Sequence, residues 1–359
     1  MSASNARRAV ALLSGGLDSL LSAKVIKEQG LEVICLHFIS PFFGKPHKLE
    51  QWRAVYDLDI RPVDAGEDFV RLLASRPPHG FGSVFNPCVD CKILMLRKAA
   101  TIMRELGACC VVTGEVLGQR PMSQRRDALN IIRREAGLKG LLLRPLSALR
   151  LEPTLPENEG VIDRSRLFGF YGRSRKAQME LAARFSITEI PTPAGGCRLT
   201  ETGNARSYYP ILRHTPHPAA ADFYLGNAGR QLWHIPEEGG ESFRLVVGRN
   251  EADNKRLADF AGPRDLFFRS RDFPGPTGLG RFFAEPWPAA AVTAAAAVTA
   301  AYTPKAGISG GKTVMLVSEG APEGPGEEVE VDPASASGLR FSEYSWEKAR
   351  ALIREKTEV

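Results

Sequence analysis

The sequence predicts a doubly wound, parallel α/β domain followed by a second, smaller α+β domain. Three observations carry this. Short apolar runs alternate with segments of helical periodicity through the first half of the chain. The first apolar run breaks at a Ser-Gly-Gly turn, a strand-to-helix bend of the kind that such sheets place at the carboxyl ends of their strands. A stretch rich in Pro, Gly, His and Asn then separates this half from a fresh apolar run at Phe243 to Val247.

The 359 residues suffice for about two domains, each with its own core. With 43% apolar and 25% charged residues the composition is that of a folded protein and excludes a disordered one. The apolar run Ala9 to Leu13 follows Arg7 and Arg8 but stops at glycines too early for a signal peptide, and no stretch approaches a membrane span. A cytoplasmic location is expected.

Val10 to Leu13 reads as the first strand, and Leu20 to Gln29 as the helix after it. Between them lie Ser14, Gly15, Gly16, Leu17, Asp18 and Ser19. A glycine turn opening a helix aims several backbone N–H groups into one concavity, with the helix dipole behind them. The serines can add hydroxyl donors, and Asp18 can order the turn or help position Mg2+. An ordinary capped turn would use the same residue types. The spacing matches neither a Walker loop nor a dinucleotide fingerprint.

Val33 to Ile39 and Cys109 to Thr113 read as further strands, with helices over Lys92 to Leu106 and Ser174 to Phe185. From Gln119 to Arg184 there are 14 Lys/Arg against 7 Asp/Glu. That excess beside a phosphate loop suits a polyanionic second substrate, or a solvated helix face. The expected division is a first domain over residues 1–190, a loop-rich connector over 191–236, and a second domain over 237–359. The second begins with Phe243 to Val247, continues through an alanine-rich helix, Ala289 to Ala301, and a strand at Val314 to Val317, and closes with a helix near Tyr344 to Lys356.

Of six cysteines, Cys35, Cys109 and Cys110 fall within predicted strands and are given no role. Cys88 and Cys91 form a C-x-x-C within Asn86-Pro-Cys-Val-Asp-Cys91, and Cys197 closes Pro193-Ala-Gly-Gly-Cys197. Thiols so placed, on expected loops, point to metal or redox chemistry. Three thiolates suit a [4Fe–4S] cluster with one iron open, whereas zinc wants a fourth ligand. A persulfide on one thiol, resolved by another, is the alternative.

The hexapeptide Ser14 to Ser19 resembles the S-G-G-x-D-S loop of the PP-loop ATP pyrophosphatases. Thr113-Gly-Glu-Val-Leu-Gly-Gln-Arg-Pro-Met-Ser-Gln124 resembles a stretch of the tRNA 4-thiouridine synthases, and Asn86 to Cys91 is similar to the N-P-C-x-x-C of tRNA 2-thiouridylases. The resemblance covers about residues 8 to 200 and implies an adenine nucleotide alpha hydrolase-like fold. It implies that Ser14, Gly15, Gly16, Leu17, Asp18 and Ser19 bind the phosphates of ATP, with Leu36, His37 and Phe38 near the adenine. Thr113, Gly114, Gln119 and Gln124 would line the place where nucleotide and target uridine meet. Asp18, Cys88, Cys91 and Cys197 would carry the chemistry, the three cysteines as cluster ligands.

The tRNA-binding module that precedes the catalytic domain of 4-thiouridine synthases is expected to be lacking, which leaves RNA capture to another part of the chain. Leu245 to Asn254 and Asp265-Leu-Phe-Phe-Arg269 resemble the RNA-binding domain of NFACT-type proteins. There Arg249 and Arg269 would contact RNA. Phe267 and Arg269 replace the family's Trp and His, and Phe267 would stack on a base. The implied function is an ATP-dependent tRNA sulfurtransferase that draws sulfur from inorganic sulfide or a cysteine desulfurase. A non-catalytic RNA-binding protein and a PP-loop enzyme with another acceptor are the alternatives.

Overall fold

A computed structural model describes residues 7–189, 196–236, 240–303, 311–333 and 339–355. The chain divides into two compact units, Met1–Thr200 and Glu201–Val359.

In the first unit β1 (Arg8–Leu12) leads into α1 (Leu17–Glu28), then β2 (Glu32–Ile39), α2 (Leu49–Tyr56), β3 (Asp59–Asp64) and α3 (Gly66–Ala74). After α4 (Cys88–Glu105) come β4 (Cys110–Val112), α5 (Arg126–Glu135), β5 (Leu142–Leu143), α6 (Leu155–Asn158) and α7 (Lys176–Arg184). The five strands are all parallel, in the order β3-β2-β1-β4-β5. This is the doubly wound architecture. The order in which successive strands are added reverses between β1 and β4, and at such a switch point the loops that leave adjacent strands diverge and open a crevice. The segments following β1 and β4 are Ser14 to Ser19 and Thr113 to Gln124, so the sheet itself sets the two motifs side by side.

β1 and β2 are buried on both faces, as parallel strands covered by helices must be, which is why they read as unbroken apolar runs. Leu17, Leu20, Leu21 and Ile26 of α1 pack into the same core as Ala9, Ala11 and Val33.

The second unit starts with α8 (Thr202–His214) and α9 (Ala220–Gly226), so much of the expected connector is ordinary secondary structure. Then follow β6 (Arg230–His234), β7 (Phe243–Val247), α10 (Glu251–Asp259), β8 (Leu266–Ser270), β9 (Gly278–Arg281), α11 (Ala289–Ala301), β10 (Thr313–Glu319), β11 (Gly326–Val331) and α12 (Trp346–Glu355). The six strands form one antiparallel sheet, in the order β11-β10-β8-β9-β7-β6. The alanine-rich α11 lies on it because small residues on both surfaces permit close approach. A Cβ on Gly278 would strike Thr299 of the helix.

Among the described residues no helix is long and apolar enough to cross a membrane.

Candidate functional site

The turn after β1 is built for an anion. Gly16 is the residue before α1, and no side chain caps the helix there. The first N–H groups of a helix lack intrahelical partners, so an uncapped start leaves donors and the positive dipole end facing outward. Inside the turn Ser19 Oγ donates to Gly16 O at 2.7 Å and accepts from Ser14 N at 3.2 Å, while Gly16 N donates to Ser14 Oγ at 3.3 Å. These bonds fix the loop without consuming the helical donors.

Gly15 has φ +75° and lies against the ring of Trp52, where a Cβ would collide. His37 meets Trp52 edge-on at 5.3 Å between ring centroids. Lys45 N donates to His37 Nε2 at 2.8 Å, which leaves Nδ1 as the donor to Leu13 O, also at 2.8 Å. Burial lowers the His37 pKa, consistent with this neutral tautomer. His37 therefore braces the loop. Its ring has no spare polar atom for an adenine, and the side chains of Leu36 and Phe38 are buried as well.

The segment after β4 crosses onto the same turn. A Cβ on Gly114 would collide with Ser19 N and lie 2.5 Å from the Asp18 carbonyl carbon, so only glycine lets the two loops touch. Thr113 Oγ1 donates to Glu115 Oε2 at 3.2 Å, and Arg144 Nε donates to that same carboxylate at 2.9 Å. Burial by itself would raise the Glu115 pKa, but Arg144 and Lys92 hold it below the usual carboxylate range. Both members of the Glu115–Arg144 pair are buried, and removing one partner from such a pair costs about 3–5 kcal/mol. Gly118 N donates to Gln124 O at 2.7 Å, closing the turn that presents Gln119. Gln119 Nε2 then donates to Asp18 Oδ2 at 2.8 Å.

The same segment also reaches the thiols. Asn86 Nδ2 donates to Cys88 Sγ at 3.0 Å and lies 3.8 Å from Met122 Sδ. Cys88 and Cys91 occupy the first turn of α4, three residues apart on one face, rather than the loop expected for them. Asn-Pro reads as a turn, yet the helix begins directly after Pro87. Asp90 turns away to accept from His79 N at 3.0 Å and to meet His79 Nδ1 at 2.8 Å.

Cys197 belongs to the first unit, although Pro193, Ala194 and Gly195 lie outside the described residues. Its segment is pinned by Arg198 N to Phe42 O at 2.9 Å and by Phe85 N to Leu199 O at 3.2 Å. Burial, then the neighbouring Cys197, pushes the Cys91 thiol up, with Cys88 adding to the effect. Cys91 thus lies within electrostatic reach of both Cys88 and Cys197. Their donor set suits iron, but among the described residues no group of three or more His, Cys, Asp or Glu side chains is disposed to hold a metal ion. Cys35 and Cys110 are buried in the sheet, as expected of structural thiols.

In the second unit Arg249 Nε donates to Asp253 Oδ2 at 2.7 Å, and Arg269 Nη1 donates to Glu323 Oε1 at 3.0 Å. Phe267 is fully buried beneath the sheet, packed with Val246 and Leu279. It is a core residue and cannot stack on a base, contrary to expectation.

Two residues that sequence patterning did not single out as site residues line the crevice beside Asp18. Arg175 Nη2 lies 3.7 Å from Asp18 Oδ1, and Gln178 Nε2 donates to Gln119 Oε1 at 3.4 Å. Arg175 registered only as one of many basic residues, and a glutamine on a helix carries no motif.

The family model for the thiamine biosynthesis protein (ThiI) matches residues 4–61 and 83–154. The probable tRNA sulfurtransferase of Thermococcus kodakarensis is 28% identical over 183 residues, 48% of this chain and 44% of that protein. The tRNA sulfurtransferase of Desulfurococcus amylolyticus is 31% identical over 177 residues, 47% of this chain and 34% of that protein. The crystal structure of a predicted subunit of tRNA methyltransferase from Methanocaldococcus jannaschii shares 16% identity at a TM-score of 0.31, covering 49% of this chain and 75% of that one, too slight a likeness to bear on fold or function. The chain spans less than half the length of the curated relatives it matches. The Ser-Gly-Gly-Leu-Asp-Ser turn at the switch point of a parallel sheet, and the Thr-Gly-Glu segment packed upon it, both fall within the residues over which this chain is similar to the ThiI family.

Proposed function

We propose that the protein is an ATP-dependent tRNA sulfurtransferase. One observation carries this reading: the Thr113 to Gln124 segment touches Asp18 of the phosphate turn through Gln119, and the Asn86–Cys88 turn through Met122. A site that activates an oxygen with a nucleotide and then replaces it with sulfur needs those two centres on one rigid connection.

The N–H groups of the Ser14 turn would hold the β- and γ-phosphates of ATP, and Asp18 would hold Mg2+, which would supply charge neutralisation on the phosphates. The carbonyl oxygen of a tRNA uridine attacks the α-phosphorus, and the bond to pyrophosphate breaks. The donors of the turn stabilise the charge that develops on the leaving group. Sulfur then attacks the adenylated carbon, and AMP departs with the former carbonyl oxygen.

The sulfur step is assigned to the Cys88, Cys91 and Cys197 group. The persulfide sulfur of one cysteine bonds to carbon. A second thiolate then attacks the cysteine-side sulfur of that S–S bond, which leaves the new thiocarbonyl and a protein disulfide, and an external dithiol reduces the disulfide. A cysteine desulfurase is the proposed source of the persulfide sulfur. The [4Fe–4S] cluster, which inorganic sulfide would charge instead, belongs to the same proposal as an occupant of these three thiols, and iron content after anaerobic purification tests it.

The excess of positive charge over residues 119–184 and the exposed ring of Tyr171 beside Gly118 favour a polynucleotide acceptor over a small carbonyl compound. The test is incubation with Mg-ATP, tRNA and a persulfide or sulfide source. AMP, pyrophosphate and a thiolated uridine are the expected products, and ADP with phosphate would refute the reading.

A further inference from the structure

We propose that Arg175 and Gln178 form the closing wall of the nucleotide site, with Arg175 binding the polyphosphate of ATP. This deepens the preceding proposal and rests on it. Both residues lie beyond the last residue matched by the family model, and the fold returns them to the phosphate turn.

The pairing with Asp18 is incomplete in a way that a structural salt bridge would not be. Arginine and carboxylate normally close a bidentate, hydrogen-bonded fork. Here the approach stops at 3.7 Å. Arg175 Nε and Asp18 Oδ1 are both buried with no hydrogen-bond partner among the described residues. Gln178, 1% exposed, is in the same condition: Nε2 donates to Gln119, while Oε1 has no partner. Buried polar atoms are ordinarily satisfied, so a cluster of three around one crevice indicates a polar occupant.

The direction of the contacts identifies that occupant. Gln178 donates to Gln119, and Gln119 donates to Asp18, so the two amides form a relay that holds the carboxylate from one side. Arg175 faces it from the other side. The planar fork of a guanidinium matches the spacing of phosphate oxygens. When a triphosphate seats on the N–H groups of α1, Arg175 turns its fork from Asp18 to the phosphates and frees Oδ1 for the cation that accompanies ATP. Gln178 is a positioning residue that keeps Gln119, and through it Asp18, in place.

Calorimetry with a non-hydrolysable α,β-methylene ATP analogue, and separately with AMP, tests this on the full chain. In Arg175→Met the analogue is expected to bind about 30-fold more weakly while AMP changes less than about twofold, and Arg175→Lys is expected to recover part of the loss. Gln178→Leu is expected to lower the rate of AMP formation about tenfold at an unchanged KM for ATP. Equal analogue affinity in Arg175→Met and the parent, or equal losses for analogue and AMP, would overturn the assignment. A parent protein that binds neither ligand would overturn the ATP reading and this inference with it, whereas binding by the parent leaves the variants to decide. The Lys variant keeps the test decisive should the Met variant fail to fold.

Discussion

Gln119 donates its side-chain amide to the Asp18 carboxylate across 2.8 Å, although the two residues stand 101 positions apart in the chain. The bond spans the switch point of the sheet, joining the segment after β4 to the turn after β1, and it does so where Gly114 already brings the two backbones into contact. It makes the phosphate turn and the second motif one mechanical piece.

Loss of that bond should therefore reach the chemistry before it reaches stability. Gln119→Leu keeps the bulk of the side chain but leaves a partly buried carboxylate oxygen without its donor, worth about 1–3 kcal/mol. The expected result is a fall of roughly tenfold to a hundredfold in pyrophosphate release at saturating tRNA, with a melting temperature close to that of the parent. An unchanged rate would show that the position of Asp18 does not matter to the adenylation step.

The thiols and the nucleotide turn should separate by mutation. Cys91→Ser removes a sulfur on the first turn of α4 without touching the Ser14 turn, so AMP and pyrophosphate should still form in the presence of tRNA while the thiolated nucleoside disappears. Nucleoside mass spectrometry and a pyrophosphate assay on one sample give both readings. Retention of thiolation would remove Cys91 from sulfur transfer.

The contribution of the His79–Asp90 pair to stability should fall with rising pH. The Asp90 hydrogen bond, against some opposition from burial, raises the His79 pKa above its ordinary value near 6.5. A group whose folded pKa is raised contributes stability that is fully present below the unfolded pKa and is lost as pH climbs through the folded one. The melting temperature of the parent should thus exceed that of His79→Leu by more at pH 5.5 than at pH 9. A gap that widened with pH would invert the sign and contradict the pairing.

How much of this was legible in the sequence depends on where the signal lay. β1, β2 and α11 are apolar over most of their length, and the expected and observed bounds differ by no more than two residues. β3 escaped because it is an edge strand whose sequence, Asp-Ile-Arg-Pro-Val-Asp, carries three charges and a proline, so no period stands out. The phosphate turn and the Cys-x-x-Cys were visible as local patterns. What joins them was not: Gly114 against Asp18, Trp52 beneath Gly15, and Arg175 beside Asp18 are encounters that only the sheet order creates. Phe267 misled for the opposite reason, since a residue type suited to ligand contact says nothing of whether the fold has already buried it.

Tyr171 offers the clearest test of the acceptor. The residue is 62% exposed, an uncommon state for a tyrosine in an ordered segment, and it is held rather than loose. Gly172 N donates to Leu117 O at 2.8 Å, and a Cβ on Gly118 would sit 3.0 Å from the ring, so the tyrosine lies directly on the Gln119 turn. The Arg150 guanidinium lies 5.3 Å from the ring centroid. An exposed aromatic ring beside an arginine is the arrangement on which an unstacked base settles, and such stacking is worth about 1–3 kcal/mol per base. Tyr171→Ala should raise the KM for tRNA by roughly tenfold, Tyr171→Phe should leave it near the parent value because stacking needs the ring and not the hydroxyl, and neither should alter the affinity for the ATP analogue. If the alanine variant instead weakened nucleotide binding and left tRNA untouched, Tyr171 would belong to the nucleotide wall and the uridine would have to enter from another side of the turn.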